Sequence, residues 1–187
     1  MFKAAAGAAL APVIGNLARP AYAQETVMAD GYSAMAADER FTTWVRLIDA
    51  GGLQNYARAP TPYTVFAVTE TGWKKYPQIA AGLLAYQQQS GSHNDANAFP
   101  DTSKIVALVR SHTVTGKHRA VEVMGKKLTV MSLAGTPIEV DGTATPVTIT
   151  WKSQAGVGTL IAPVADTPII AINAVIYPID DLGPLMM

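Results

Sequence analysis

Tyr63-Thr64-Val65-Phe66-Ala67-Val68-Thr69-Glu70-Thr71-Gly72-Trp73 is the stretch on which the fold turns. Five of its first six residues are β-branched or aromatic. A short run of this kind, with almost no polar alternation, marks a buried strand. Thr69 then stands where a helix needs a side-chain oxygen to cap its first free N–H groups. The segment reads as strand, cap and helix, the helix ending at Pro77. Just upstream, Pro60-Thr61-Pro62 breaks regular structure.

Toward the N-terminus, Phe41, Trp44, Val45 and Ile48 recur at helical spacing, so residues 38–50 read as an amphipathic helix. Asp38 and Glu39 open it and Gly51-Gly52 stops it. Residues 53–58 read as a short second helix. Toward the C-terminus, residues 78–88 read as a helix, followed by the polar run Gln87-Gln88-Gln89-Ser90-Gly91-Ser92-His93-Asn94-Asp95. That run reads as a surface loop. Asp101 or Thr102 caps a further helix to about Ser111, with Ile105, Leu108, Val109 and His112 on one face.

From His118 onward the pattern becomes that of strands and hairpins. Val121 and Val123 alternate with polar residues, and Met124-Gly125-Lys126 forms a turn. Residues 127–133, 138–140, 147–152 and 159–163 read as strands, and 168–179 as a long strand or a strand pair. Asp141-Gly142 is a hairpin signal. Helices first and hairpins last argue for an α+β class.

The first 23 residues read as an address. Met1-Phe2-Lys3 is a short positive start, residues 4–18 are small and apolar, and Ala21-Tyr22-Ala23 is an A-x-A cleavage site. The apolar run is shorter than the roughly 20 residues that a bilayer span needs. Cleavage after Ala23 removes Lys3 and Arg19 and leaves residues 24–187, expected to form a single domain with a slight excess of negative charge. No second long apolar run follows, so no transmembrane anchor is expected.

Composition narrows the chemistry. The 187 residues carry 14 basic and 14 acidic side chains, which gives no reason to expect a nucleic-acid partner. Cysteine is absent, which excludes disulfides, thiol catalysis and cysteine-based metal sites. The three histidines, His93, His112 and His118, have no carboxylate cluster beside them, and no metal site is expected. Ser111 and His112 are chain neighbours whose side chains point apart on a helix, a poor nucleophile–base pair. Gly156-Val157-Gly158 lacks the rest of a dinucleotide loop. Asp180-Asp181 would face opposite sides of a strand. No catalytic residue and no cofactor is assigned.

Three blocks, in order, resemble the fasciclin domain. The opening stretch is similar to the family's Thr-Val-Phe-Ala-Pro-Thr-(Asp/Asn)-x-Ala-Phe, carried here by Thr64, Val65, Phe66, Ala67 and Thr69. Leu108-Val109-Arg110-Ser111-His112-Thr113-Val114-Thr115-Gly116 resembles its helix-ending Leu-x-x-His-Val-Val-x-Gly, carried by His112 and Gly116. Asn173-Ala174-Val175-Ile176-Tyr177-Pro178-Ile179-Asp180 resembles its closing Asn-Gly-Val-Ile-His-Val-Ile-Asp, carried by Asn173, Val175, Ile176, Tyr177 and Asp180. Val68, Trp73, Ala174 and Tyr177 depart from the family's Pro, Phe, Gly and His. Ala174 implies an ordinary extended backbone where the family has Gly.

The resemblance implies a β-sheet wedge or sandwich with several packed helices. It also implies an exported, periplasmic or cell-surface protein without catalytic activity, working in adhesion or matrix interaction. The partner expected is a cell-surface protein or polysaccharide. The alternative is a hydrophobic small molecule such as a carotenoid or lipid, which some relatives carry. The motif residues are expected to be structural. Contact is expected on loops, with Ser92, His93, Asn94 and Asp95 as the candidate and Pro60-Thr61-Pro62 beside them.

Overall fold

Every residue of β1 (Tyr63–Val68) is buried. A strand wet on one face would bury alternate residues only, so continuous burial requires cover on both sides. The computed structural model, which describes residues 29–84, 102–151 and 160–182, supplies that cover. β1 pairs in parallel with β8 (Ala174–Ile179), from Tyr63↔Ala174 to Val68↔Ile179. β8 is likewise buried throughout. On its other side β1 pairs antiparallel with β2 (Thr113–Thr115), and β7 (Ile169–Ile170) pairs antiparallel with β8. The first sheet therefore runs β2-β1-β8-β7. Parallel neighbours need a long crossover, and here it carries everything from the helix after β1 to β7, including the second sheet.

The second sheet is an antiparallel meander of β3 (Lys127–Met131), β4 (Pro137–Asp141), β5 (Thr148–Trp151) and β6 (Leu160–Pro163). β4 and β5 alternate, with Ile138, Val140, Ile149 and Trp151 turned inward. Two isolated bridges join the sheets. Val114 pairs with Ser132 beside a Leu133 N–H to Thr113 carbonyl bond of 2.8 Å. Val164 pairs with Ile179 beside an Ala165 N–H to Pro178 carbonyl bond of 2.9 Å. The sheets thus form a wedge closed at both of these corners.

Helices cover the open side. α1 (Gly31–Ala36) is capped by Asp30, whose carboxylate accepts the Ser33 N–H at 2.8 Å. A 3-10 turn at Glu39–Phe41 leads into α2 (Thr42–Ala50), followed by α3 (Gln54–Arg58), α4 (Glu70–Trp73), α5 (Pro77–Leu84) and α6 (Thr102–Ser111). α2 is the hub, packing on α1, α4, α5 and α6. Trp44, Leu47 and Ile48 fill its inner face, continued by Phe41 at the end of the 3-10 turn. Fully burying one such large apolar side chain contributes about 1.5–3 kcal/mol. The indole N–H groups of Trp44 and Trp73 are buried and find no acceptor among the described residues, which offsets part of that gain.

The architecture is α+β, as the order of elements predicts, but local readings change: residues 38–50 hold a 3-10 turn and then α2 instead of one helix, and β2 had no strand reading in the sequence. α1 has no apolar periodicity to announce it; its signal is the Asp30 cap alone. The alternating Val121 and Val123 belong to α7 (Ala120–Val123), a single helical turn rather than a strand. Residues two apart lie on roughly opposite sides of a helix. Val123 is accordingly buried, while Val121 is 63% exposed. Residues 168–179 form the strand pair, with Ala174 in ordinary extended pairing and no positive φ outside glycine among the described residues.

Candidate functional site

The three sequence blocks converge on one interior region. β1 and β8 lie side by side, so Phe66 is opposite Tyr177 in the parallel register, with ring centroids 5.6 Å apart. Thr64, Val65, Phe66 and Ala67 face Val175, Ile176, Tyr177 and Pro178, all within the sheet. Their polar atoms are used internally. The Thr64 hydroxyl donates to the Gly116 carbonyl at 2.7 Å and accepts the His118 N–H at 2.9 Å. Gly116 sits at φ +84°, a left-handed turn that L side chains rarely adopt. The Tyr177 hydroxyl donates to the His118 carbonyl at 2.9 Å. Burial raises the Tyr177 phenol well above its ordinary range.

Thr69 caps α4, accepting the Gly72 N–H at 3.2 Å, and its hydroxyl donates to the Asp180 carboxylate. The neighbouring Asp181 accepts from the Tyr76 hydroxyl at 2.6 Å. Asn173 ties three segments together. Its side-chain oxygen accepts the Gly31 N–H at 2.7 Å, and its amide donates to the carbonyls of Ala57 at 3.1 Å and Ala59 at 2.5 Å.

His112 is fully buried at the α6–β2 junction, between Trp44 and Trp151 at ring distances of 5.3 and 5.1 Å. Its Nδ1 lies 2.9 Å from the Leu108 carbonyl. A carbonyl can only accept, so Nδ1 carries the proton. The Ser111 hydroxyl donates to the same carbonyl at 2.7 Å, and its oxygen lies 3.0 Å from Nδ1, so the two neighbouring side chains do not point apart; with Nδ1 protonated, that nitrogen cannot take the serine's proton. Burial lowers the imidazole pKa to about 4, so it is neutral at physiological pH. The Trp151 indole donates to the Ser111 carbonyl at 3.1 Å, joining the second sheet to α6.

The motif residues are therefore engaged in contacts within the molecule, all buried except the half-buried Gly116 and Asp180. The candidate loop Ser92, His93, Asn94 and Asp95 lies outside the described residues. Among the described residues, no group of three His, Asp or Glu is placed to hold a metal ion, and no helix is long and apolar enough to cross a membrane.

One surface feature had no signature in the sequence. A groove of about 890 Å³ opens between the end of α1, the 3-10 turn and the chain between β6 and β7. Ala34, Ala37, Pro168 and Ile169 supply apolar lining. Asp38, Glu39, Arg40 and Asp166 supply charge. Arg40 Nε reaches both Asp38 oxygens at 3.0 Å, its Nη2 donates to Asp38 at 2.6 Å and its Nη1 to Asp166 at 2.5 Å. The guanidinium holds the Asp38 carboxyl below its ordinary range. Asp38 was legible as a first-turn acid, but its link through Arg40 to Asp166, 126 residues away, was not.

Comparison with known proteins gives three likenesses. The fasciclin domain family model matches residues 39–182. An uncharacterized protein of Synechocystis sp. is 32% identical over 106 residues, 57% of this chain and 68% of that one. The structure of a FAS1 domain pair from the insect cell adhesion molecule fasciclin I superposes with a TM-score of 0.61 at 13% identity, over 83% of this chain. The chain spans about half of that two-domain structure, 51% of its length.

Proposed function

Because the chain belongs to the fasciclin domain family, we propose that it is an exported, non-catalytic binding module whose partner is a cell-surface protein or polysaccharide. The observation that carries the reading is the family match over residues 39–182. A fasciclin domain is in general an adhesion-type binding module. Export rests on the leader-like residues 1–23 and their Ala21-Tyr22-Ala23 site.

The motif residues are buried, apart from the half-buried Gly116 and Asp180, so recognition falls to what surrounds them. A substitution among Thr64, Phe66, His112 or Val175 is expected to unfold the domain before it weakens binding. Loops and grooves remain, because they vary without disturbing the core.

The experiment is mass spectrometry of the mature protein, with whatever co-purifies, from its native host. The expected result is a chain starting at Gln24 and free of small-molecule cargo. A chain starting at Met1 would sink the export argument. A stoichiometric lipid or carotenoid would replace the binding-module reading with that of a carrier.

A further inference from the structure

The Arg40 groove asks for a cation. Three carboxylates and one guanidinium line it, which leaves two net negative charges. Arg40 is spent on Asp38 and Asp166, so it has little to offer an anion. Glu39 has no side-chain partner among the described residues, and the Asp166 side chain is 59% exposed. These two carboxylates are the groups left to meet a ligand. Asp166 is held in place twice, by Arg40 at one oxygen and by the Thr167 N–H at the other, 2.7 Å away. A fixed carboxylate loses less freedom on binding than a mobile one.

The apolar lining narrows the class. Ala34, Ala37, Pro168 and Ile169 are aliphatic, and no aromatic ring lines the groove. A sugar ring would find no face to stack upon. The methylene stem of a lysine or arginine, which buries its carbons and keeps its charge at the edge, matches such a surface. The volume is that of a site for a ligand of several side chains' size.

We propose that this groove docks a basic peptide segment of a partner protein. A Lys or Arg stem lies along Ala34, Ala37 and Ile169, and its cation meets Glu39 and Asp166. The inference rests on the binding-module reading and names the chemistry of the partner.

The test is calorimetric titration of the full chain with hexalysine at low salt and at 0.15 M salt. Hexaglutamate and a glucosamine hexamer are titrated in parallel. Ala37 is exposed at the end of α1 in right-handed helical conformation, so Ala37→Arg fills the groove and halves its net negative charge without burying anything. Saturable hexalysine binding is expected, weakened tenfold or more by Ala37→Arg. Glu39→Gln and Asp166→Asn should each weaken it two- to fivefold. Glu122→Gln, at an exposed position of α7 away from the groove, should leave it unchanged.

Equal hexalysine binding by wild type and Ala37→Arg overturns the proposal. So does glucosamine-oligomer binding that depends on Ala37 while hexalysine binding does not. Retention on native cell envelopes, measured with the same variants, separates the two readings. If Ala37→Arg is retained as well as wild type, the groove proposal fails and the module reading stands. If wild type binds hexalysine through the groove but is not retained, the module reading fails and the groove proposal stands.

Discussion

Replacing Asn173 with Ala tests the joint that holds α1 to the first sheet. The residue is 4% exposed and makes three bonds to backbone groups far away in sequence. The Ala57 carbonyl also accepts the Tyr63 hydroxyl at 3.0 Å, so it keeps a partner in the variant. The Gly31 N–H and the Ala59 carbonyl lose this one. An orphaned buried donor costs about 1–3 kcal/mol and the carbonyl somewhat less, so the variant should lose about 3 kcal/mol. That is a large share of the about 5–15 kcal/mol typical of a domain. Urea unfolding followed by tryptophan fluorescence should show the midpoint falling by about 1–2 M at unchanged slope. Amide exchange should quicken first in α1, which Asn173 anchors through Gly31. Asn173→Asp sharpens the argument. It keeps an acceptor for Gly31 but sets a carboxylate oxygen against two carbonyls. The folded state then disfavours the charged form, so the new carboxyl titrates above its unfolded value. That variant should gain stability as pH falls through that range. An Ala variant losing under about 1 kcal/mol, or an Asp variant as stable as wild type at pH 7, would refute the reasoning.

Two further outcomes are expected. A Cβ on Gly31 would lie 2.1 Å from the Tyr63 hydroxyl and 2.7 Å from the Ala174 Cβ, so Gly31→Ala should cost about 1–3 kcal/mol by overpacking. Adding Tyr63→Phe should return part of the loss in thermal unfolding, since the hydroxyl is the nearest atom. For His112, the folded pKa of about 4 lies below the ordinary 6.5, so the unfolded chain takes up the proton first as pH falls. Stability from this residue is therefore full above pH 6.5, is lost as pH falls toward 4, and totals about 3 kcal/mol. His112→Ala should lower the melting temperature at neutral pH, and the wild-type-minus-variant stability should shrink over that window. A difference that stays flat with pH would show that His112 is not held neutral by burial.

Local chemistry made much of this fold readable. The six-residue run at Tyr63 is a strand because β-branched and aromatic side chains pack well on a pleated surface. Thr69 caps α4 because its hydroxyl reaches an N–H three residues on. Phe41, Trp44 and Ile48 mark the inner face of their helix by spacing alone. The same local logic failed at Val121 and Val123, where four residues are too few to separate a period of two from one of 3.6. It missed α1 because a six-residue helix with Gly, Ser and Tyr in it offers a cap but no stripe.

The candidate site divides in the same way. The residues of the three family blocks could be named from sequence, since each block is a continuous run. Their mutual placement could not. That Tyr63 pairs with Ala174, that His112 sits between Trp44 and Trp151, and that Asn173 joins Gly31 to Ala57 and Ala59 are contacts between distant positions. The groove depends on such placement entirely, because Arg40 meets Asp166 only once β6 and β7 have folded past the end of α1.

Sequence alone thus determined the longer helices, the strand at Tyr63, the Thr69 cap, the α+β class and the family to which the chain belongs, because each is written in residues a few positions apart. Tertiary structure alone decided the parallel β1–β8 pairing, the two bridges that close the wedge and the charged groove on its surface. Those depend on which buried faces meet when the chain closes long loops. No window of neighbouring residues carries that information.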